Sequence, residues 1–324
     1  MADQVWTRND NQHVHVGRDG WLFLIGGSNT VMDRYRGGLA QWWLLRRWSR
    51  LIDARAARAA RLGIRYLHVV VPEKLSVYDH KTAGLPYEPA NASTRRLARR
   101  LARHPAYLDL LAPLRAARDG AAPVYLRTDT HWTIDGCFLA YREIMRALGA
   151  TPPSDLADRP RFAVDEVMDT GGKIPGRPVE RIERAMIQRD AARVETGPLL
   201  AGYEAAGRAN ELHVGAHAVY RNEAPSADPR RIVLFGDSCA HFAPFLLTGL
   251  LAESFREVHF VWSASLDWPY IEAVKPDILL FEIAERFLAR MPDDRYDVAV
   301  AGRRGTLGRV GELDGRLAGS VAVQ

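Results

Sequence analysis

The chain predicts an α/β fold: a parallel sheet with helices on both faces, read as a single domain over residues 1–324 with an irregular or β-rich insertion at 150–225. Three observations carry this expectation. Apolar runs at Tyr66–Val71, Arg231–Phe235, Val258–Trp262 and Asp277–Ile283 have the composition of strands buried on both faces. Helix-length periodic segments alternate with them, as βαβ units require. Between 150 and about 225, Pro152, Pro153, Pro160, Pro175, Pro178 and Pro198 break every long periodicity.

The elements follow in order. His13–Leu24 alternates around Gly17-Arg-Asp-Gly20 and reads as a β-hairpin. Leu39–Leu62 reads as a basic amphipathic helix, with Trp42, Trp43, Trp48 and Ile52 against Arg46, Arg47, Arg50, Arg55 and Arg58. Such a helix either packs with its arginines snorkelling to water or lies on a membrane surface. Pro72–Tyr78 is a loop after the first buried strand. Ser93 is placed to cap a second basic helix, Thr94–Arg103. Val124–Arg127 is a short strand leading into Asp129-Thr-His-Trp-Thr133, and a helix from Ile134 to Leu148 is stopped by Gly149. After the insertion come the Arg231–Phe235 strand, Gly236-Asp-Ser238, a helix over about Ala240–Glu253, and the last two strands with a short helix, Tyr270–Val274, between them.

Composition excludes several classes. The 47% apolar content supports a sizeable core. The net charge of +5 is carried almost entirely by arginine, but no zinc-finger spacing or RNP-type strand accompanies it, so no nucleic-acid partner is expected. Cys137 and Cys239 are the only cysteines, too few for a disulfide framework or a cysteine metal site, and they read as small apolar bodies. His13 and His15 with Asp10 form a metal-like pattern that reads better as one face of a strand; neither metal nor cofactor is expected. No run reaches the ~20 apolar residues of a membrane span. The N-terminus has no signal-peptide pattern, which predicts a cytoplasmic protein.

Two constellations carry chemistry. Ser238 follows a buried strand across a Gly-Asp turn, at the sheet edge where open α/β folds bind ligands. It either caps the next helix or serves as a nucleophile, with N–H groups of the first helical turn beside it. Asp129 and His131 lie two residues apart in extended chain, so their side chains share a face. The carboxylate can hold the imidazole as the base that a serine needs. His241 lies near Ser238 without a neighbouring acid and reads as a wall residue, while His213 and His217 lack a visible carboxylate. Glu73, Lys74, Glu282 and Arg286 fall at strand ends, as cleft lining or as structural ion-pair partners.

Taken together, Gly17-Arg-Asp-Gly-Trp-Leu-Phe23, Val71-Pro-Glu-Lys74, Asp129-Thr-His-Trp-Thr133, Gly236-Asp-Ser238 and Glu282-Ile-Ala-Glu-Arg-Phe-Leu288 resemble the SGNH-like O-acetyltransferases of the alginate-acetylation type, the AlgJ/AlgX family. The resemblance implies an SGNH-hydrolase-like, flavodoxin-like three-layer fold and a triad of Ser238, His131 and Asp129. It implies an acetyl-serine intermediate, a polysaccharide acceptor, and an acetyl donor such as a membrane acyltransferase could hand on. An asparagine for the oxyanion hole has no clear counterpart; Asp169-Thr-Gly-Gly172 is the candidate glycine block, with Gly171 and Gly172 as the second donor. The family is typically exported or membrane-anchored, so a periplasmic location is the alternative to the cytoplasmic one. A carbohydrate esterase, with water replacing the sugar, and a non-catalytic glycan-binding subunit are the competing functions.

Overall fold

The computed structural model describes residues 13–27 and 30–307. A hairpin opens it: β1 (Val14–Val16) pairs antiparallel with β2 (Leu22–Leu24) around a turn in which Asp19 and Gly20 have positive φ. There follow α1 (Gly38–Arg61), β3 (Arg65–Val71), α2 (Lys74–Val77), α3 (Ser93–Arg100), β4 (Tyr107–Asp109), α4 (Leu111–Ala117) and α5 (Ile134–Leu148). The middle of the chain holds β5 (Arg161–Val167), β6 (Val179–Ala185), β7 (Ala191–Thr196), α6 (Pro198–Ala205) and β8 (His217–Asn222). The last third is β9 (Asp228–Gly236), α7 (Leu247–Ser254), β10 (Phe255–Trp262), α8 (Trp268–Val274), β11 (Ile278–Ala284) and α9 (Val298–Leu307).

A seven-stranded sheet in the order β4-β3-β11-β9-β10-β8-β7 organises these elements. Its block from β4 to β10 is parallel, while β8 runs antiparallel to both β10 and β7. The strands alternate as a doubly covered sheet demands. On β9, Ile232 and Leu234 enter one core with α5 and α7, while Val233 and Phe235 enter the other with α1, α3 and α8. On β11, Ile278 and Leu280 face the first core and Leu279, Phe281 and Ile283 the second. The fold is α/β with a mostly parallel sheet between helical layers, as expected; the antiparallel β8 is the departure.

Several local expectations are corrected. Val124–Arg127 is no sheet strand; it makes one bridge, Tyr125 to Trp132, closing a short loop. Ser93 does not cap α3, whose cap residue is Ala92 and which ends at Arg100; its hydroxyl instead accepts from Gln41 Nε2. The loop after β3 contains the single turn α2. The helix expected from Ala240 begins only at Leu247, because His241 takes a left-handed φ of 61° and interrupts helical hydrogen bonding. Within 150–225, β5 and β6 pair as a hairpin, and β7 and β8 extend the central sheet.

Candidate active site

The C-terminal edge of the sheet carries Ser238, one turn beyond β9. The turn is tied down from below. Asp237 accepts from the N–H of Cys239 at 2.9 Å and from that of Ala284 at 2.7 Å, and the His241 N–H reaches the Asp237 carbonyl at 2.9 Å. Glu282 Oε2 accepts the Asp237 N–H at 3.0 Å. Burial, and then the adjacent Asp237 charge, push the Glu282 carboxyl well above the usual carboxylate range. A Cβ on Gly236 would stand 2.9 Å from Ala240 Cβ and 3.1 Å from Glu282 Oε2, so only glycine lets the strand end this close to its floor.

Asp129 and His131 come from the loop between the bridge residues Tyr125 and Trp132, and that loop is held from two sides. Lys74 Nζ donates to the carbonyls of Leu126, Arg127 and Asp129 at 2.9, 2.9 and 2.5 Å. From the opposite side, Glu180 on β6 accepts from the N–H groups of Arg127 and Thr128 and from the Thr128 hydroxyl. Asp169 takes both donors of Thr130. Helix α5 starts immediately beyond, with the Thr133 hydroxyl accepting from the Gly136 N–H at 3.1 Å.

The structure brings the three residues singled out from the sequence into one hydrogen-bonded series. Asp129 Oδ1 lies 2.5 Å from His131 Nδ1, and His131 Nε2 lies 2.7 Å from Ser238 Oγ. The partners assign the tautomer: Nδ1–H donates to the carboxylate, leaving Nε2 to accept from the serine hydroxyl. Burial opposes ionisation of Asp129, yet the His131 charge and hydrogen bond and the N–H of Asp169 hold it well below the carboxylate range. Burial likewise pulls His131 down, but the charge and hydrogen bond of Asp129 outweigh it and raise the imidazole above its ordinary value. Ser238 and His131 both keep partial exposure, and Asp129 is buried.

The remaining candidates separate. Glu282 and Arg286 line a cleft of about 710 Å³ at this edge, with Gly236, Asp237, Trp262 and Phe287. Glu73 is buried, its carboxylate 2.6 Å from Arg286 Nε, and Lys74 is the loop anchor already described. Gly171 and Gly172 are corrected as oxyanion donors: their N–H groups are engaged with the carbonyls of Thr128 (2.9 Å) and Met168 (2.7 Å). Among the described residues, the Ser238 N–H has no partner. His241 is a wall residue whose ring packs on Phe242, Phe245 and Trp262; burial and the neighbouring His131 lower it to about 4. His213 stands edge-on to Trp262, and His217 bonds Tyr270. His15 bonds the Thr82 carbonyl, while Asp10 of the proposed metal pattern lies outside the described residues.

Two groups, Asp129–His131–Asp169 and Asp237–Cys239–Glu282, bring donor atoms within 4.8 Å of one another. In the first, the carboxylate oxygens are committed to hydrogen bonds from His131, Thr130 and the Asp169 N–H. Cys137 and Cys239 are free and buried. Sequence reasoning missed Glu180 and the role of Asp169, because both lie in the segment whose structure the sequence does not disclose.

Residues 14–185, just over half of the chain, match the family described as SGNH hydrolase-like domain, acetyltransferase AlgX. That match contains Asp129 and His131 and stops short of Ser238. A probable alginate O-acetylase AlgJ of Pseudomonas fluorescens is 28% identical over 162 residues, which span 48% of this chain and 38% of the relative. Among solved structures, the O-acetyltransferase domain of Pseudomonas putida AlgJ superposes with a TM-score of 0.53 at 16% identity, over 90% of this chain and 99% of that one. Bacillus cereus PatB1, solved with a sulfonyl adduct, gives 0.56 at 16% identity, over 86% and 98%. At that identity the structural likeness speaks for the fold.

Proposed function

The chain belongs to the AlgX family of SGNH hydrolase-like acetyltransferases, and on that premise we propose that it is a serine-dependent O-acetyltransferase acting on a glycan. The observation that carries the reading is the Asp129–His131–Ser238 series, with His131 Nε2 2.7 Å from Ser238 Oγ. In the first half-reaction His131 Nε2 takes the serine proton as Oγ bonds to the acetyl carbon of the donor. The bond from that carbon to the leaving group breaks, and His131 returns the proton to the departing atom. In the second, a sugar hydroxyl gives its proton to His131 and attacks the acetyl-serine, and the proton then returns to Ser238 Oγ. Asp129 stays ionised throughout and stabilises the imidazolium. The uncommitted N–H of Ser238 is one donor for the oxyanion.

The chain's match spans 38% of the curated relative's length, so donor and acceptor are read from chemistry: an activated acetyl ester or thioester, and a polysaccharide hydroxyl. Intact-mass spectrometry after incubation with 4-nitrophenyl acetate tests the first half-reaction. One added acetyl group on the wild type, absent from Ser238→Ala and from His131→Ala, is expected. A Ser238→Ala variant that still acquires the acetyl group ends the proposal. Adding an oligosaccharide acceptor then separates transfer from hydrolysis: acetylated sugar is expected, and free acetate alone identifies an esterase.

A further inference from the structure

Helix α1 carries a stripe that the core does not use. Residues 39, 43, 46 and 50 fall at i, i+4, i+7 and i+11, one face of a helix, and here that face is turned to water. Leu39 is 77% exposed and Trp43 54%, among the most exposed large apolar residues described. Arg47 and Arg50 are exposed beside them, with Arg99, Arg100 and Arg103 at the end of the neighbouring α3. No Asp or Glu occurs between Arg34 and Ile52 or between Pro89 and Leu108. A groove of about 500 Å³ runs between the helices, lined by Arg46, Arg50, Asp53, Arg100, Arg103 and His104. Its one carboxylate, Asp53, is paired with His104 at 3.0 Å.

We propose that this face docks the protein on the surface of an anionic lipid bilayer, with lipid phosphates against the α1–α3 groove and Leu39 and Trp43 in the interface. Charge complementarity points to the occupant, since each arginine near an anionic bilayer adds about 1 kcal/mol, roughly five-fold in partitioning. The apolar pair chooses a bilayer over an anionic glycan. A sugar stacks on an open indole face, but the Trp42 ring already carries Arg46 at 5.2 Å and Arg100 at 6.0 Å. Arg46 also lies 5.9 Å from the Trp43 ring, and the two indoles meet edge-on at 82°. A protruding leucine has nothing to offer a sugar and inserts readily among acyl chains. No helix among the described residues is long and apolar enough to cross a membrane.

The docking stands independently of the acyl-transfer reading, but the two fit together. Gln41, between Leu39 and Trp43, donates to the Arg34 carbonyl, and the Arg34 side chain lines the cleft beside the Ser238 turn. The first turn of α1 is therefore tied to a residue that lines the cleft.

Co-sedimentation of the full chain with vesicles tests the proposal, comparing phosphatidylcholine alone with phosphatidylcholine mixed with phosphatidylglycerol. Binding to the mixed vesicles alone is expected, weakening as salt rises. Arg47→Gln and Arg50→Gln should each weaken it about five-fold, and Leu39→Ser with Trp43→Ser about ten-fold or more. Melting temperature and 4-nitrophenyl acetate turnover should stay at wild-type values in all of them. Equal binding to both vesicle types, no binding, or binding the variants leave unchanged overturns it. So does retention by soluble polygalacturonate in preference to vesicles, or self-association of the wild type that Leu39→Ser with Trp43→Ser abolishes, which assigns the face to a glycan or to a second copy.

Discussion

At the scale of single residues, the proposed mechanism ties the working pH to the protonation states of the site. His131 is raised above about 6.5, and only its neutral form can take the serine proton. Acyl-enzyme formation should therefore rise with pH through an apparent pKa above that value. Asp129→Asn removes the largest influence raising His131, so the acid limb should move down while the rate falls about 10⁴-fold; a pH–rate profile of both proteins reads both effects. The opposite limb belongs to Lys74. Burial lowers its ammonium to about 8, opposed by Asp129, Asp169, Glu180 and Glu73. Its three donors are all used on carbonyls of the base-bearing loop, so loss of the proton leaves one carbonyl without a partner. Activity should decline above about 8, and Lys74→Met should lower kcat and abolish that limb. The meeting of Asp129 and His131 was legible because a spacing of two residues in extended chain turns both side chains to one face. The engagement of the Gly171 and Gly172 N–H groups was not, since it depends on a carbonyl, Thr128, distant in sequence.

At the scale of elements, His131, the proposed base, is carried on a loop whose shape comes from its neighbours. Gly136 in the first turn of α5 lies against it: a Cβ there would stand 2.0 Å from the Val124 carbonyl oxygen and 3.1 Å from Trp132 Cβ. Gly136→Ala must push the helix away from the loop, at a cost of about 1–3 kcal/mol. Acyl-enzyme formation should fall further than the drop in melting temperature accounts for, which parallel kinetic and thermal measurements would reveal. The same contrast explains what sequence could tell. Helices α1 and α5 were legible over nearly their full lengths because an apolar face repeats for several turns before a stop. The delayed start of α7 is marked in the sequence only by Pro244, which cannot sit inside the expected helix; nothing in the residue types announces the left-handed His241. Strand β5 has no buried face, so no alternation marks it, whereas β8 is buried at all but one of its positions.

For the whole molecule, one residue that lines the cleft, Arg286, is half of a pair of buried charges from distant parts of the chain. Arg286 Nε lies 2.6 Å from Glu73, 213 residues away in sequence, and both are buried. Arg286→Met leaves the carboxylate without its charged partner and should cost about 3–5 kcal/mol, measured by urea unfolding followed by fluorescence. A loss below 1 kcal/mol, roughly what an exposed pair gives, would show that water reaches Glu73.

The order of strands in the sheet has a consequence for how the protein comes into being. Strand β3 has β4 on one side and β11 on the other, so a chain emerging from the ribosome as far as α5 holds Asp129 and His131 beside a sheet that lacks its centre. The serine follows 107 residues after the histidine, and the sheet closes only when β11 slides between β3 and β9. Pairing over such separations is slow. On the proposed mechanism, reactivity is thus among the last properties the nascent polypeptide acquires, and a truncated translation product ending before residue 238 carries His131 without the serine it would activate.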